Sequence, residues 1–167
     1  MRDGAPIAPL IRGGGQERGH RAGTENVAAI AGFGAAASEA LGELAQMPAV
    51  ARRRDALEAA VLDVTPEAIV IGREARRLPN TSTIAVPGRR AETLVAALDL
   101  AGIAISAGAA CSSGKVGPSG VLAAMGLAPE IVRGAVRISI GASTTDKDIA
   151  AFLAAWTTVA GAAARAS

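Results

Sequence analysis

Apolar positions along the chain recur with two different spacings, and the spacings divide it into elements. Val27, Ile30, Phe33 and Gly34 fall on one stripe, which predicts a helix from about Glu25 to Leu44 with Thr24 placed to cap it. Met47-Pro48 breaks that helix, and a second follows over about Ala49 to Asp63 with Leu57, Val61 and Leu62 inward. Ala68 to Ile71 and Thr81 to Val86 read as strands, the latter closed by Pro87-Gly88. Ala91 to Ala101 is a third helix with Leu94, Leu98 and Ala101 inward and Gly102 as its C-cap. Ile103 to Ile105 is expected as a short strand, Pro118-Ser119 opens a helix ending at Gly126, and Pro129 opens another. Val136 to Ile140 alternates in and out as a strand does. Thr144-Thr145-Asp146 caps a last helix carrying Ile149, Phe152, Leu153 and Trp156. Before Thr24 there is no helical period; Ile7 to Ile11 suits a short edge strand, and Gly13-Gly14-Gly15 forbids regular structure. The sum is an α+β fold, a small sheet with helices packed on it.

Composition narrows this picture. Hydrophobic residues make up 50% of the 167, which argues against disorder, while aromatics are only 2% (Phe33, Phe152, Trp156), so the core is built from Ala, Val, Leu and Ile. The net charge of +2 is nearly balanced. Arginine is clustered at Arg52-Arg53-Arg54, Arg76-Arg77 and Arg89-Arg90; without interleaved aromatics these read as solvated faces rather than a direct nucleic-acid surface. One cysteine leaves no intrachain disulfide and no cysteine-rich metal cluster. The start does not look like a signal peptide, and the longest uncharged apolar run, Ile149 to Ala164, is shorter than the ~18 residues of a membrane span. The expectation is a cytoplasmic chain without a membrane partner.

Three segments carry chemistry. Gly13 to Asn26 combines glycines that let backbone approach an anion, the charges of Arg18 and Arg21, the Thr24 hydroxyl and a helix start, a set suited to phosphate. An ordinary glycine-rich turn with a cap is the other reading, and His20, the lone histidine, suits a structural hydrogen bond as well as a site. Cys111 lies among small and polar residues, Ser106 to Lys115. A buried small hydrophobe is one reading of it, but Ser106, Ser112, Ser113 and Lys115 argue against burial, and the lysine charge favours a thiolate. Arg137, set between apolar residues of a strand, needs either a structural counter-ion or a carboxylate to grip.

Taken in order, Gly14 to Val27, Leu78-Pro-Asn-Thr81, Ala109 to Gly114, Ser119 to Gly126 and Val136 to Gly141 resemble cysteine desulfurases of the class V aminotransferase family, over about residues 2–155. The resemblance implies the C-terminal small domain of a fold-type I pyridoxal-phosphate enzyme: residues 1–24 as the tail of the large cofactor domain, 25–47 as a linking helix and 48–167 as the small domain. It implies removal of sulfur from L-cysteine to leave L-alanine, with Cys111 as nucleophile and persulfide carrier. It further implies Arg137 on the substrate carboxylate and Asn80 near the substrate. Thr24, Arg21 and His20 fall at the cofactor, with Thr24 reaching the phosphate of the partner subunit in a homodimer. A sulfur-acceptor protein, such as an iron–sulfur scaffold or a sulfur relay, would take the product.

The departure from the family pattern is the lysine that holds the cofactor. Only Lys115 and Lys147 are present, neither in the family's His-Lys context. The sequence is therefore expected to be the C-terminal part of a longer enzyme and inactive alone. The competing readings are a non-catalytic persulfide carrier or docking module, a selenocysteine lyase or other family relative, and an unrelated glycine-rich phosphate-binding domain.

Overall fold

The computed structural model describes residues 8–108 and 119–161, which form parts of two compact units, Met1–Leu44 and Ala45–Ser167. In the first unit a glycine-rich loop with a 3₁₀ turn at Gln16–Gly19 precedes helix α1, Val27–Glu43. Its N-cap is Asn26, not Thr24: the Asn26 side chain accepts the Ala29 N–H at 3.2 Å. Asparagine caps as well as threonine, and the Thr24 carbonyl is already engaged by Arg21. Residues 8–11 form no strand, and Ile7 lies outside the described residues. The α1 stripe of Val27, Ile30 and Phe33 is exposed. The helical stretch Val27–Val64 also holds a window of mean hydropathy 1.3 that is long and apolar enough, by composition, to cross a membrane. The expectation drawn from the Ile149 run overlooked it, because Glu39 and Glu43 interrupt the apolar stretch while its Ala, Val, Ile, Phe and Leu residues keep the average high.

In the second unit, Pro48 opens helix α2, Met47–Val64, where a missing N–H costs nothing. Strands β1 (Ile69–Val70), β2 (Thr81–Ala85), β3 (Ser106–Ala107) and β4 (Ala135–Ser139) form one antiparallel sheet in the order β1-β2-β4-β3. Helices α3 (Ala91–Leu100), α4 (Gly120–Ala124), α5 (Pro129–Arg133) and α6 (Asp146–Gly161) complete it. One face of the sheet turns Val70, Ile84, Val136 and Ile138 onto Leu57, Val61, Leu94, Leu98, Phe152 and Trp156. The other face buries only Ala85 and Ala135, against Ile71, Leu122 and Val132.

The expected strand at Ile103–Ile105 is displaced to Ser106–Ala107. Ile103 instead donates its N–H to the Leu98 carbonyl at 2.9 Å, closing the end of α3 over Gly102 in the left-handed region at φ 79°. Ala101, expected inward, is exposed. At the start of α6 the Thr145 hydroxyl and N–H donate to the Asp148 carboxylate at 2.7 and 2.8 Å, and the Asp148 N–H returns a bond to the Thr145 hydroxyl at 3.3 Å. Trp156, fully buried, donates its indole N–H to Thr65 at 3.0 Å.

Candidate functional site

In the first unit the loop is closed at its neck by the Ala22 N–H on the Ile11 carbonyl, 3.0 Å. Glu17 and Arg18 both adopt left-handed backbone, φ 50° and 58°, which non-glycine residues seldom do and which concentrates at functional sites. Gly13 permits the close approach at the neck, since a Cβ there would stand 2.9 Å from the Ala22 Cβ. Arg21 spends Nη1 within the loop, on the carbonyls of Ala22, Gly23 and Thr24 at 3.2, 2.8 and 3.0 Å, and faces Glu17 at 3.6 Å. It thereby shapes the loop around Thr24. The side chains of His20 and Thr24 are exposed. The Gln16 Oε1 is buried without a hydrogen-bond partner among the described residues. Because the two ends of an amide are interchangeable, that position can offer N–H to an anion.

In the second unit Arg137 sits in the middle of β4, opposite Thr83 of β2 and Ser106 of β3. Strand alternation places it on the face away from the main core, between buried Val136 and Ile138. It is half-buried and makes no ion pair or side-chain hydrogen bond among the described residues. The structural counter-ion that the sequence left open is not found among the described residues. Asn80 stands at the entrance to β2, half-buried; its carbonyl accepts the Ile140 N–H at 2.9 Å and its Oδ1 accepts the Thr81 hydroxyl at 3.3 Å. Asn80 is thus held just before β2, the strand paired with the β4 that carries Arg137. Cys111 and the neighbouring Ser112, Ser113 and Lys115 lie outside the described residues. The chain on either side is anchored: the Gly108 N–H reaches the Ala135 carbonyl at 2.9 Å, and the Ser119 hydroxyl caps α4 on the Leu122 N–H at 3.4 Å.

A polar cluster that sequence reasoning missed lies on α2. Glu58 is only 2% exposed. Its carboxylate accepts two bonds from Arg77, at 2.7 and 3.0 Å, and one from the Ser82 hydroxyl at 2.7 Å, with Arg54 at 3.9 Å. Arg54 also bonds Asp55 and donates to the Leu78 carbonyl at 2.6 Å. Burial works strongly against the charged carboxylate, but the bonds from Arg77 and Ser82 and the charges of Arg77 and Arg54 outweigh it, so Glu58 is held below the usual glutamate range. The cluster therefore fastens the segment leading to Asn80 onto α2. A cleft of about 280 Å³ opens beside it, lined by Arg54, Asp55, Glu58, Arg73, Ala75 and Arg77. The arginine clusters are correspondingly not just solvated faces: Arg53 bonds Asp146 at 2.8 Å, and Arg89 caps the Ala160 carbonyl near the end of α6 at 2.7 Å. The signal for Glu58 was its place on the Leu57/Val61 side of α2, one turn after Arg54.

The donor set permits a test of pyridoxal phosphate. The Thr24 hydroxyl, the Gln16 amide and the glycine neck suit a phosphate, and Arg137 suits a carboxylate. Lys147 is exposed in the first turn of α6, and Lys115 lies outside the described residues. Each set by itself fits an anion, the first a phosphate and the second a carboxylate, and the described residues supply no enclosed lysine for the carbonyl of such a group.

Comparison with known proteins gives a consistent result. The sequence model of the family described as aminotransferase class-V matches residues 12–152. A cysteine desulfurase of Cereibacter sphaeroides is 48% identical over 149 residues, covering 89% of this chain and 38% of that protein. The cysteine desulfurase NifS of Azotobacter vinelandii is 45% identical over 150 residues, with 89% and 37% covered. A NifS-like protein from Rickettsia africae superposes with a TM-score of 0.82 at 34% identity, covering 94% of this chain and 41% of that one. The chain spans about two fifths of the length of the relatives it matches. The expected α+β fold is the one found, shared with those NifS-like structures. By the match over most of its length, the chain belongs to the class V aminotransferase family.

Proposed function

We propose that this chain carries the sulfur-accepting cysteine and the substrate-gripping arginine of a cysteine desulfurase. The observation that carries the reading is Arg137: a half-buried guanidinium between apolar neighbours, with no counter-ion among the described residues. Such a group is costly unless a carboxylate arrives to pair with it. The amino acid L-cysteine offers that carboxylate, and the relatives named cysteine desulfurase favour it over selenocysteine.

In this reading Arg137 fixes the substrate by two parallel N–H bonds, and Asn80 stands near it at the entrance to β2. The Cys111 thiolate attacks the substrate sulfur. An S–S bond forms as the substrate C–S bond breaks; the electron pair stays with carbon, which takes up a proton to become alanine, and Cys111 is left as a persulfide. Pyridoxal phosphate, when bound, supplies the electron sink for that cleavage. Thr24 and the loop shaped by Arg21 would hold its phosphate, with His20 at the margin, in the site of a partner subunit. The lysine that secures the cofactor would come from beyond this chain, so the chain alone does not desulfurate. An acceptor protein then removes the sulfur.

The test is a thiol-directed persulfide label on wild type and Cys111→Ser after exposure to a soluble sulfur donor. Loading confined to wild type supports the reading. A chain in which Cys111 never loads overturns both the desulfurase and the carrier forms of it. A borohydride-stable adduct between pyridoxal phosphate and one lysine of this chain would overturn the proposed external lysine.

A further inference from the structure

We infer that Thr83 and Ser106 complete the carboxylate subsite of Arg137, one hydroxyl from each neighbouring strand. The inference rests on the proposed role of Arg137. The register places Thr83 of β2 and Ser106 of β3 directly opposite Arg137 on its two neighbouring strands. Directly paired residues project from the same face, with Cβ atoms about 4.5–5.5 Å apart. The three side chains therefore form one row across the sheet. All three are half-buried.

Neither hydroxyl has a hydrogen-bond partner among the described residues. Their neighbours do: the Ser82 hydroxyl, on the core face, bonds Glu58 at 2.7 Å, and the Thr81 hydroxyl bonds Asn80 at 3.3 Å. Strand propensity accounts for a threonine in β2, while the two-residue β3 makes no such demand at Ser106. One end of the row is closed by the apolar group of Ala85, Ala135, Leu122 and Val132; the other runs out through Thr81 and exposed Ser139. The row over Arg137 is therefore closed at one end and open at the other.

The hydrogen-bond inventory fits an α-carboxylate. Its two oxygens offer about four acceptor sites. A guanidinium fork fills two of them, one on each oxygen. One site on each oxygen remains, which a hydroxyl donor from each neighbouring strand can fill. Thr83 and Ser106 are binding residues on this account, and they favour a planar carboxylate over a neutral amide, which has fewer acceptor sites and places N–H groups against Arg137.

The experiment is a titration of the full chain with L-alanine, followed by the amide and arginine side-chain NMR shifts of β2 and β4, with L-alaninamide as the carboxylate-free comparison. Saturable shifts at Arg137 are expected with L-alanine and not with the amide. Thr83→Val, which preserves shape, and Ser106→Ala are each expected to weaken binding about 3- to 10-fold, with unchanged backbone shifts elsewhere. Arg137→Gln is expected to abolish binding. If Arg137→Gln abolishes binding while Thr83→Val and Ser106→Ala bind like wild type, the inference is overturned and the Arg137 reading stands. If wild type gives no saturable shift, or binds the amide equally well, both are overturned.

Discussion

Replacing Glu58 with alanine removes the acceptor for three hydrogen bonds at once. Arg77, whose side chain is 16% exposed, loses both of its bonds, and Ser82, 2% exposed, keeps a buried hydroxyl with nowhere to donate. Breaking one side of a buried ion pair costs about 3–5 kcal/mol. The adjoining cleft lets Arg77 turn toward water, which lowers this to about 2–3 kcal/mol, the stranded serine included. Glu58→Gln keeps the shape and one acceptor oxygen but loses the charge, and is expected to cost about 1–2 kcal/mol. Because the folded carboxyl sits below its ordinary value of 4.5, its contribution is complete above that pH and fades as pH falls through the folded value. The gap between wild type and Glu58→Gln should therefore be full near neutrality and narrow below about pH 4.5. The assay is urea unfolding followed by the fluorescence of Trp156, the sole tryptophan and fully buried. A Glu58→Ala variant within about 0.5 kcal/mol of wild type, a shift typical of an uninvolved surface site, refutes the reasoning. So does a Glu58→Gln gap that ignores pH.

Two further changes probe the frame that holds the site. Thr65→Val removes the acceptor of the buried Trp156 indole N–H, bonded at 3.0 Å, and is expected to destabilise by about 1–3 kcal/mol in the same assay; a neutral result means the indole finds another acceptor. Gly134→Ala drives a methyl group into the Val86 carbonyl, which is backbone and has no room to yield at the junction of β2 and β4. It is expected to lower the melting temperature by more than about 4 °C, the shift of roughly 1 kcal/mol in a domain of this size; an unchanged melting temperature contradicts the packing described.

Most of the fold was legible because apolar spacing reports burial directly. Leu57 and Val61, Leu94 and Leu98, and Phe152 and Trp156 all fell where the period put them. The misses have two causes, local bonds at the ends of elements and partners distant in sequence. Ile103 was drawn from the strand by the Leu98 carbonyl, and Asn26 took the cap because, directly before Val27, its side chain reaches the Ala29 N–H. Glu58 looks like one more surface charge until Arg77 and Ser82, 19 and 24 residues on, are folded against it. The site divides in the same way. Arg137 was recognisable as a charge out of place in an apolar strand, whereas Thr83 and Ser106 acquire meaning only through register, which no spacing in the sequence encodes.

The central claim is that sulfur comes to rest on Cys111. The direct measurement is the mass of the Cys111 peptide after the full chain is incubated with L-cysteine, pyridoxal phosphate and a full-length related cysteine desulfurase. A gain of one sulfur atom, removed by a reducing thiol and absent from Cys111→Ser, is the expected result. An unmodified Cys111 peptide, recovered while the added enzyme turns over, contradicts it.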